Sequence, residues 1–310
     1  GYKRLSGGIP MSVIRDIVDP TEVLDPEHLS SPIVVASPHS GAYYPADLIA
    51  ASKLSKASLR RSEDCYVDDL FAKAHELGAP LLTAIYARAY LDLNREPFEL
   101  DPDMFSDLLP DHCNTSSARV AAGLGTIARI VANQKEIYAR KLTYSEAESR
   151  IGLIYKPYHN TLRRLVNRTR DRFGFCILID CHSMPSMGLP TSTRNPQETI
   201  DVVIGDRNGL SCSASITEET DRIFGSLGYS VMRNNPYAGG YTTHHYGDPA
   251  NGIHAVQIEL NRSLYVDENT LNRRPSFSKL KADLGQFLSL LAEFGHGVHG
   301  ELSFQRLSAE

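Results

Sequence analysis

No apolar run in the 310 residues approaches the roughly 20 that a membrane-spanning helix needs; among the longest is 175–179. That excludes a transmembrane helix. Cysteine is scarce and scattered, with five residues at 65, 113, 176, 181 and 212, no CxxC pair and no regular framework. Such a set points to a reducing, cytoplasmic setting rather than a disulfide scaffold. Glycine (22) and proline (17) stay near ordinary usage, which excludes collagen-like and low-complexity chains. Neither sign of charge dominates, since 32 Lys and Arg face 37 Asp and Glu for a net charge of −5. The one basic cluster, 163–172, is interleaved with Leu162, Leu165 and Val166 at helical spacing. It reads as a solvated helix face, so neither a nucleic acid nor a membrane is expected as a partner. Residues 1–10 carry two cations with no apolar stretch behind them, so no secretory signal is read there. Met11 is a candidate start, with 1–10 as an extension.

What is present is an alternation of β-rich runs and helical patterns. Residues 33–36, 81–86, 89–93, 175–180, 202–204, 229–232 and 255–260 read as strands. Helices are expected over about 62–77, with Ser62 as N-cap and Gly78 as stop, and over 145–173 with a break near Pro157. Two further helices are expected over 218–227 and 276–294. The order implies an α/β fold whose mixed, largely parallel central sheet carries helices on both faces. With no internal repeat and no linker-like shift in composition, a single domain over 1–310 is expected. The irregular, Asp-, Pro- and Gly-rich stretch 99–126 reads as a surface insertion.

In such sheets reactive groups gather where strands end. His39 follows the run 33–36, Asn94 and Arg95 follow 89–93, and His182 follows 175–180. Taken singly these are weak signals, because a histidine after Ser-Pro is as often a turn residue, and His182 would pass as a hydrogen-bonded core histidine. Glu259 is harder to dismiss. In Val256-Gln-Ile-Glu-Leu260 the alternation sets it on the face opposite three apolar residues, where an unpaired carboxylate is costly. Two imidazoles and a carboxylate, with a fourth position left to water, make the donor set of a catalytic zinc site, although other divalent ions suit it too. His39 and His182 are the expected histidine ligands. For the carboxylate the sequence offers Glu63, Asp64, Asp68 and Asp69, some of which would serve as charge at a helix N-terminus instead.

The ordered set Ser37-Pro-His-Ser-Gly41, Glu63-Asp-Cys-Tyr-Val-Asp68, Leu91-Asp-Leu-Asn-Arg95, Asp180-Cys-His-Ser183, Gly239-Gly240, His245-Tyr-Gly247 and Val256-Gln-Ile-Glu-Leu260 resembles the N-formylglutamate amidohydrolase family. Single pieces are unspecific; seven in this order, from about residue 30 to about 265, are not. The resemblance implies the zinc carboxypeptidase and aspartoacylase type of α/β architecture. It also implies hydrolysis of a small N-acyl amide on an acidic amino acid, so the partner is a small N-acyl amino acid. By the same resemblance His39, Asp64 and His182 would hold the metal, Glu259 would be general base and acid, and Arg88 would steady the oxyanion. Asn94 and Arg95 would grip a substrate carboxylate, which suits the planar arginine fork. Ser183, Gly239, Gly240, Tyr241 and His245 would line the substrate, the glycines through close backbone approach.

Two departures bear on the substrate. Met184-Pro185-Ser186 stands where the family carries a basic residue, and the loop Asn234-Asn-Pro-Tyr-Ala-Gly239 differs in its centre. Arg194 and Arg233 are the alternative sources of that charge. Two other readings stay open, a carboxypeptidase-like peptide hydrolase on the same site and a metal-free carboxylate-binding protein. A serine or cysteine hydrolase is disfavoured, because there is no Gly-x-Ser-x-Gly elbow and Cys181 cannot face His182 along a strand.

Overall fold

The computed structural model describes residues 18–307 apart from Arg194. The possible N-terminal extension and the Arg194 alternative therefore lie outside the described residues. Seven strands form one sheet: β1 (Thr21–Leu24), β2 (Ile33–Ser37), β3 (Leu81–Ala84), β4 (Cys176–Met184), β5 (Val202–Gly205), β6 (Val231–Arg233) and β7 (Ile253–Asn261). Their order is β1-β3-β2-β4-β7-β5-β6. Strand β2 runs parallel to β3 and β4, β4 parallel to β7, and β5 parallel to β6, while β5 meets β7 antiparallel. This is the mixed, largely parallel α/β sheet expected from the alternation. All nine residues of β4 are buried, as a strand covered on both faces requires.

Period-2 alternation sorts these strands chemically. One face sends Ile177, Ile179 and Cys181 of β4 and Val256, Ile258 and Leu260 of β7 into the main core. There they meet Ile223 and Phe224 of the helix Ala214–Ser226 and Leu284, Phe287 and Leu291 of the helix Phe277–Leu307. Phe224 and Phe287 stack with centroids 4.4 Å apart. Phe287 is fully buried, so Phe287→Ala is expected to cost about 3–5 kcal/mol. Urea unfolding followed by circular dichroism measures that loss. The opposite face carries Asp180 and His182 of β4 beside Gln257 and Glu259 of β7, in direct register.

Local signals explain the helices around this sheet. Thr143 and Glu146 close a capping box at the start of the helix Tyr144–Arg150. That helix passes through a π-helical turn, Ile151–Tyr155, into the helix Lys156–Phe173. The break expected near Pro157 takes this form because the proline ring and missing N–H remove one i to i−4 bond, and the widened turn absorbs the change. Gly174, at φ 81°, then ends the helix ahead of β4.

Two expected elements are not formed. Residues 62–77 hold no continuous helix but a 3-10 turn (Arg60–Ser62), a short helix (Val67–Leu70) and a second 3-10 turn (Ala72–Ala74). The interruption has a cause: the Asp64 N–H donates to the His39 carbonyl at 2.9 Å, and Tyr66 takes a left-handed φ of 63°. Residues 89–93 form turns rather than a strand, with the N–H groups of Tyr90 and Leu91 both donating to Ala87 O. Their apolar side chains are buried without a sheet partner, which the sequence pattern does not distinguish from a strand.

The described chain divides into two compact units, 18–21 with Gly41–Glu63 and Ala84–His159, and Glu22–Ser40 with Asp64–Thr83 and 160–307. The second holds nearly all of the sheet. The first is largely irregular, and its segment 99–126 forms only a 3-10 turn (Pro102–Met104) and a one-turn helix (Ala118–Ala121). Within it Gly41 is sterically obligatory, since a Cβ there would lie 2.2 Å from the Tyr86 carbonyl oxygen. No described helix is long and apolar enough to cross a membrane.

Candidate metal centre

His39 sits just past the end of β2, in a turn pinned by a 2.8 Å hydrogen bond between the Ser37 and Ser40 hydroxyls. Its carbonyl receives the Asp64 N–H, so two segments distant in sequence are tied by backbone. His182 projects from β4. The three side chains converge: the two Nδ1 atoms are 3.1 Å apart, His182 Nδ1 is 3.2 Å from Asp64 Oδ2, and His39 Nδ1 is 3.6 Å from the same oxygen. Each of the three residues is at most 2% exposed.

These distances test the site against a metal. Ligand atoms at 2.0–2.1 Å in a tetrahedron lie about 3.3–3.4 Å from one another, and the three observed separations bracket that value. Two ring nitrogens facing each other at 3.1 Å repel unless a proton or a metal cation lies between them. The charges agree. Burial works against the protonated form of His182, but Asp180, Asp64 and Glu259 outweigh it and hold its pKa well above the usual value. Burial works against the Asp64 carboxylate, yet His182, His39 and Arg262 hold its pKa well below the usual range. Three carboxylates around two imidazoles favour a cation, and the donor set fits zinc.

Two of the other acids offered by the sequence are engaged elsewhere. Glu63 accepts from Tyr44 Oη at 2.8 Å and from the Arg60 guanidinium, while Asp69 pairs with Lys281 and Arg273. Among the described residues the clustered donor set is His39, Asp64 and His182.

Two supporting residues escaped the sequence reading. Asp180, fully buried on β4, has Oδ2 2.9 Å from His182 Nε2. Neither of its oxygens makes an aligned hydrogen bond. The pair leaves Nδ1 facing Asp64 and His39, with the Asp180 carboxylate close enough to hold the ring by charge, as an outer carboxylate would behind a metal-binding imidazole. The i, i+2 spacing on one strand was the available signal. Asp180→Asn is expected to weaken metal affinity about 10–100-fold, read by competition with a chromophoric chelator. The other residue is Arg262, in the 3-10 turn Arg262–Leu264 after β7, whose Nη2 donates to Asp64 Oδ1 at 2.8 Å. No local pattern marks it.

Glu259 is half-buried beside His182 across the β4–β7 pairing and accepts from Gln257 Nε2 at 3.3 Å. It is not part of the donor cluster. Ser183 is buried, and its hydroxyl oxygen accepts from Arg262 Nε at 3.0 Å. Tyr241 and His245 stack at 4.9 Å on the helix Tyr241–Tyr246, where burial, with Arg163 and His244 nearby, lowers the His245 pKa. Gly239, at φ 128°, has a reason internal to the fold, since a Cβ would come 2.5 Å from Thr243 Oγ1. The Gly240 carbonyl accepts from that same hydroxyl at 3.0 Å.

Arg88, Asn94 and Arg95 belong to the first unit. Arg88 Nη2 lies 3.0 Å from Asp92 Oδ2, and the Asn94 N–H donates to Asp92 Oδ1 at 2.9 Å. Arg95 donates to the carbonyls of Leu124 and Asn94, both at 2.8 Å, and burial pulls its pKa down to about 10, so it stays charged at neutral pH. Of the two alternative cations for the substrate, Arg233 is half exposed and engaged by Asp221 at 2.7 Å. The five cysteines are free and buried, and the Cys181 thiol is pushed well above its usual pKa by burial and Asp180. A thiolate nucleophile is disfavoured there.

Known proteins resemble this chain over most of its length. The family model described as N-formylglutamate amidohydrolase matches residues 31–266. An N-formylglutamate deformylase of Pseudomonas putida is 32% identical over 240 residues, which cover 76% of this chain and 82% of that protein. One of Pseudomonas aeruginosa is 29% identical over 252 residues, 80% and 86% of the respective chains. The crystal structure of an N-formylglutamate amidohydrolase from Ralstonia eutropha JMP134 aligns with a TM-score of 0.82 at 34% identity, covering 89% of this chain and 98% of that one.

Proposed function

Because this chain belongs to the N-formylglutamate amidohydrolase family, we propose that it is a zinc-dependent amidohydrolase removing a formyl or similar small acyl group from an acidic amino acid, with N-formyl-L-glutamate as the reference substrate. The observation that carries this reading is the convergence of three buried donor atoms, with Glu259 one strand away in register with His182. His39, Asp64 and His182 would hold a divalent ion, which supplies Lewis acidity and a water of lowered pKa.

The chain's own residues do the rest. Glu259 takes a proton at its carboxylate as water adds to the acyl carbon. It returns that proton to the departing amine nitrogen, so the C–N bond breaks to a carboxylic acid and a free amino acid. Arg88 is assigned to the developing oxyanion. Asn94 and Arg95 are assigned to a substrate carboxylate, Arg95 remaining charged at neutral pH for that purpose. Ser183, Gly239, Gly240, Tyr241 and His245 are assigned to the substrate wall. The Ser183 hydroxyl oxygen meanwhile supports Arg262.

The test is direct. Zinc-loaded protein incubated with N-formyl-L-glutamate is expected to release formate and glutamate. A chelator should stop the reaction and added zinc restore it. Cleavage of peptides from a free C-terminus, with N-acyl amino acids ignored, would replace this reading with a peptide hydrolase. Stoichiometric binding without turnover or metal would replace it with a binding protein.

A further inference from the structure

We infer that Arg262 is the positioning residue that restricts Asp64 to offering a single oxygen to the metal, and that it thereby sets which ions the site prefers. The inference rests on the proposed metal-dependent reading of the site. Asp64 divides its two oxygens: Oδ2 faces the two histidine Nδ1 atoms at 3.2 and 3.6 Å, whereas Oδ1 accepts from Arg262 Nη2 at 2.8 Å. The guanidinium is not free to swing away. Its Nε donates to Ser183 Oγ at 3.0 Å and its Nη2 also reaches the Ser183 carbonyl at 3.3 Å. Ser183 follows His182 on β4, so one planar fork ties the Asp64 carboxylate to the strand that bears a histidine ligand.

Arg262 is only 8% exposed and Asp64 1%. For Asp64 to present both oxygens, Oδ1 would have to give up its bond to a largely buried cation, and such a loss is costly. A carboxylate held to one oxygen keeps the coordination number low. That suits zinc, which is content with four ligands, and disfavours ions such as manganese that take more oxygen donors. Arginine suits the task better than lysine, because two donors in a fixed plane orient the carboxylate as well as pairing with it.

The experiment uses the full chain stripped of metal, with the affinities of Zn2+ and Mn2+ measured separately and the visible spectrum of the Co2+ form recorded. Wild type is expected to bind zinc far more tightly than manganese and to give the intense cobalt bands of a low-coordinate site. Arg262→Met is expected to weaken zinc by about 10–100-fold, to leave manganese nearly unchanged, and to dim the cobalt bands as the second oxygen joins. Arg262→Lys, which can still occupy Oδ1 through one charged donor, is expected to recover most of the preference. If Arg262→Met does not fold, Arg262→Gln against Arg262→Lys makes the same comparison. A folded neutral variant with an unchanged zinc-to-manganese ratio and cobalt spectrum overturns the inference while leaving the metal reading intact. So does equal weakening of both ions, which marks a merely structural role. Wild type that binds no zinc overturns the metal reading, and the inference with it.

Discussion

Glu259→Gln is expected to lower kcat on N-formyl-L-glutamate by about 100-fold to 10,000-fold, with the metal content unchanged. The side chain keeps its shape but loses the ability to accept a proton from water and return it to the leaving nitrogen. Glu259 is separate from the donor cluster, so His39, Asp64 and His182 stay in place. Gln257 Nε2, which donates to Glu259 Oε1 at 3.3 Å, can still donate to the new amide oxygen. Steady-state kinetics beside elemental analysis separates the two effects. Activity within a few fold of wild type would remove Glu259 from its assigned role.

The second large effect is a contrast between the two histidines. His39→Ala and His182→Ala should each abolish zinc binding, since either removes one of three protein ligands. Their metal-free forms should nevertheless differ in stability. Without His39, Asp64 retains His182 and Arg262. Without His182, Asp180 loses the imidazole 2.9 Å away while remaining fully buried. Breaking a buried ion pair from one side costs about 3–5 kcal/mol, so metal-free His182→Ala should unfold at distinctly lower urea than metal-free His39→Ala. Equal midpoints would show that Asp180 does not depend on His182, and would remove the support for its orienting role.

Much of the scaffold was legible from the chain because its signals are local. The apolar run 175–180 becomes β4, and alternation in Val256-Gln-Ile-Glu-Leu260 correctly sets Glu259 on the face opposite Val256, Ile258 and Leu260. The motif order also carried the family, because seven short patterns in one order are specific where each alone is not. Where the pattern misled, the cause was again local. Residues 89–93 are as apolar as a strand and as buried as one, but their N–H groups close turns on Ala87. Residues 62–77 have helical spacing, yet Asp64 spends its N–H on His39.

The sequence by itself determined the mixed α/β sheet, the family and two histidines suited to a metal, since each follows from periodicity or from residue order along the chain. Only the tertiary structure brings Asp64 to the two histidines, while Glu63 is engaged by Tyr44 and Arg60 and Asp69 by Lys281 and Arg273. It alone brought in Asp180 as the companion of His182, and Arg262, which reaches Asp64 across 198 positions of sequence. A contact across that distance is held by the packing of β4 and β7, and no pattern of neighbouring residues encodes it.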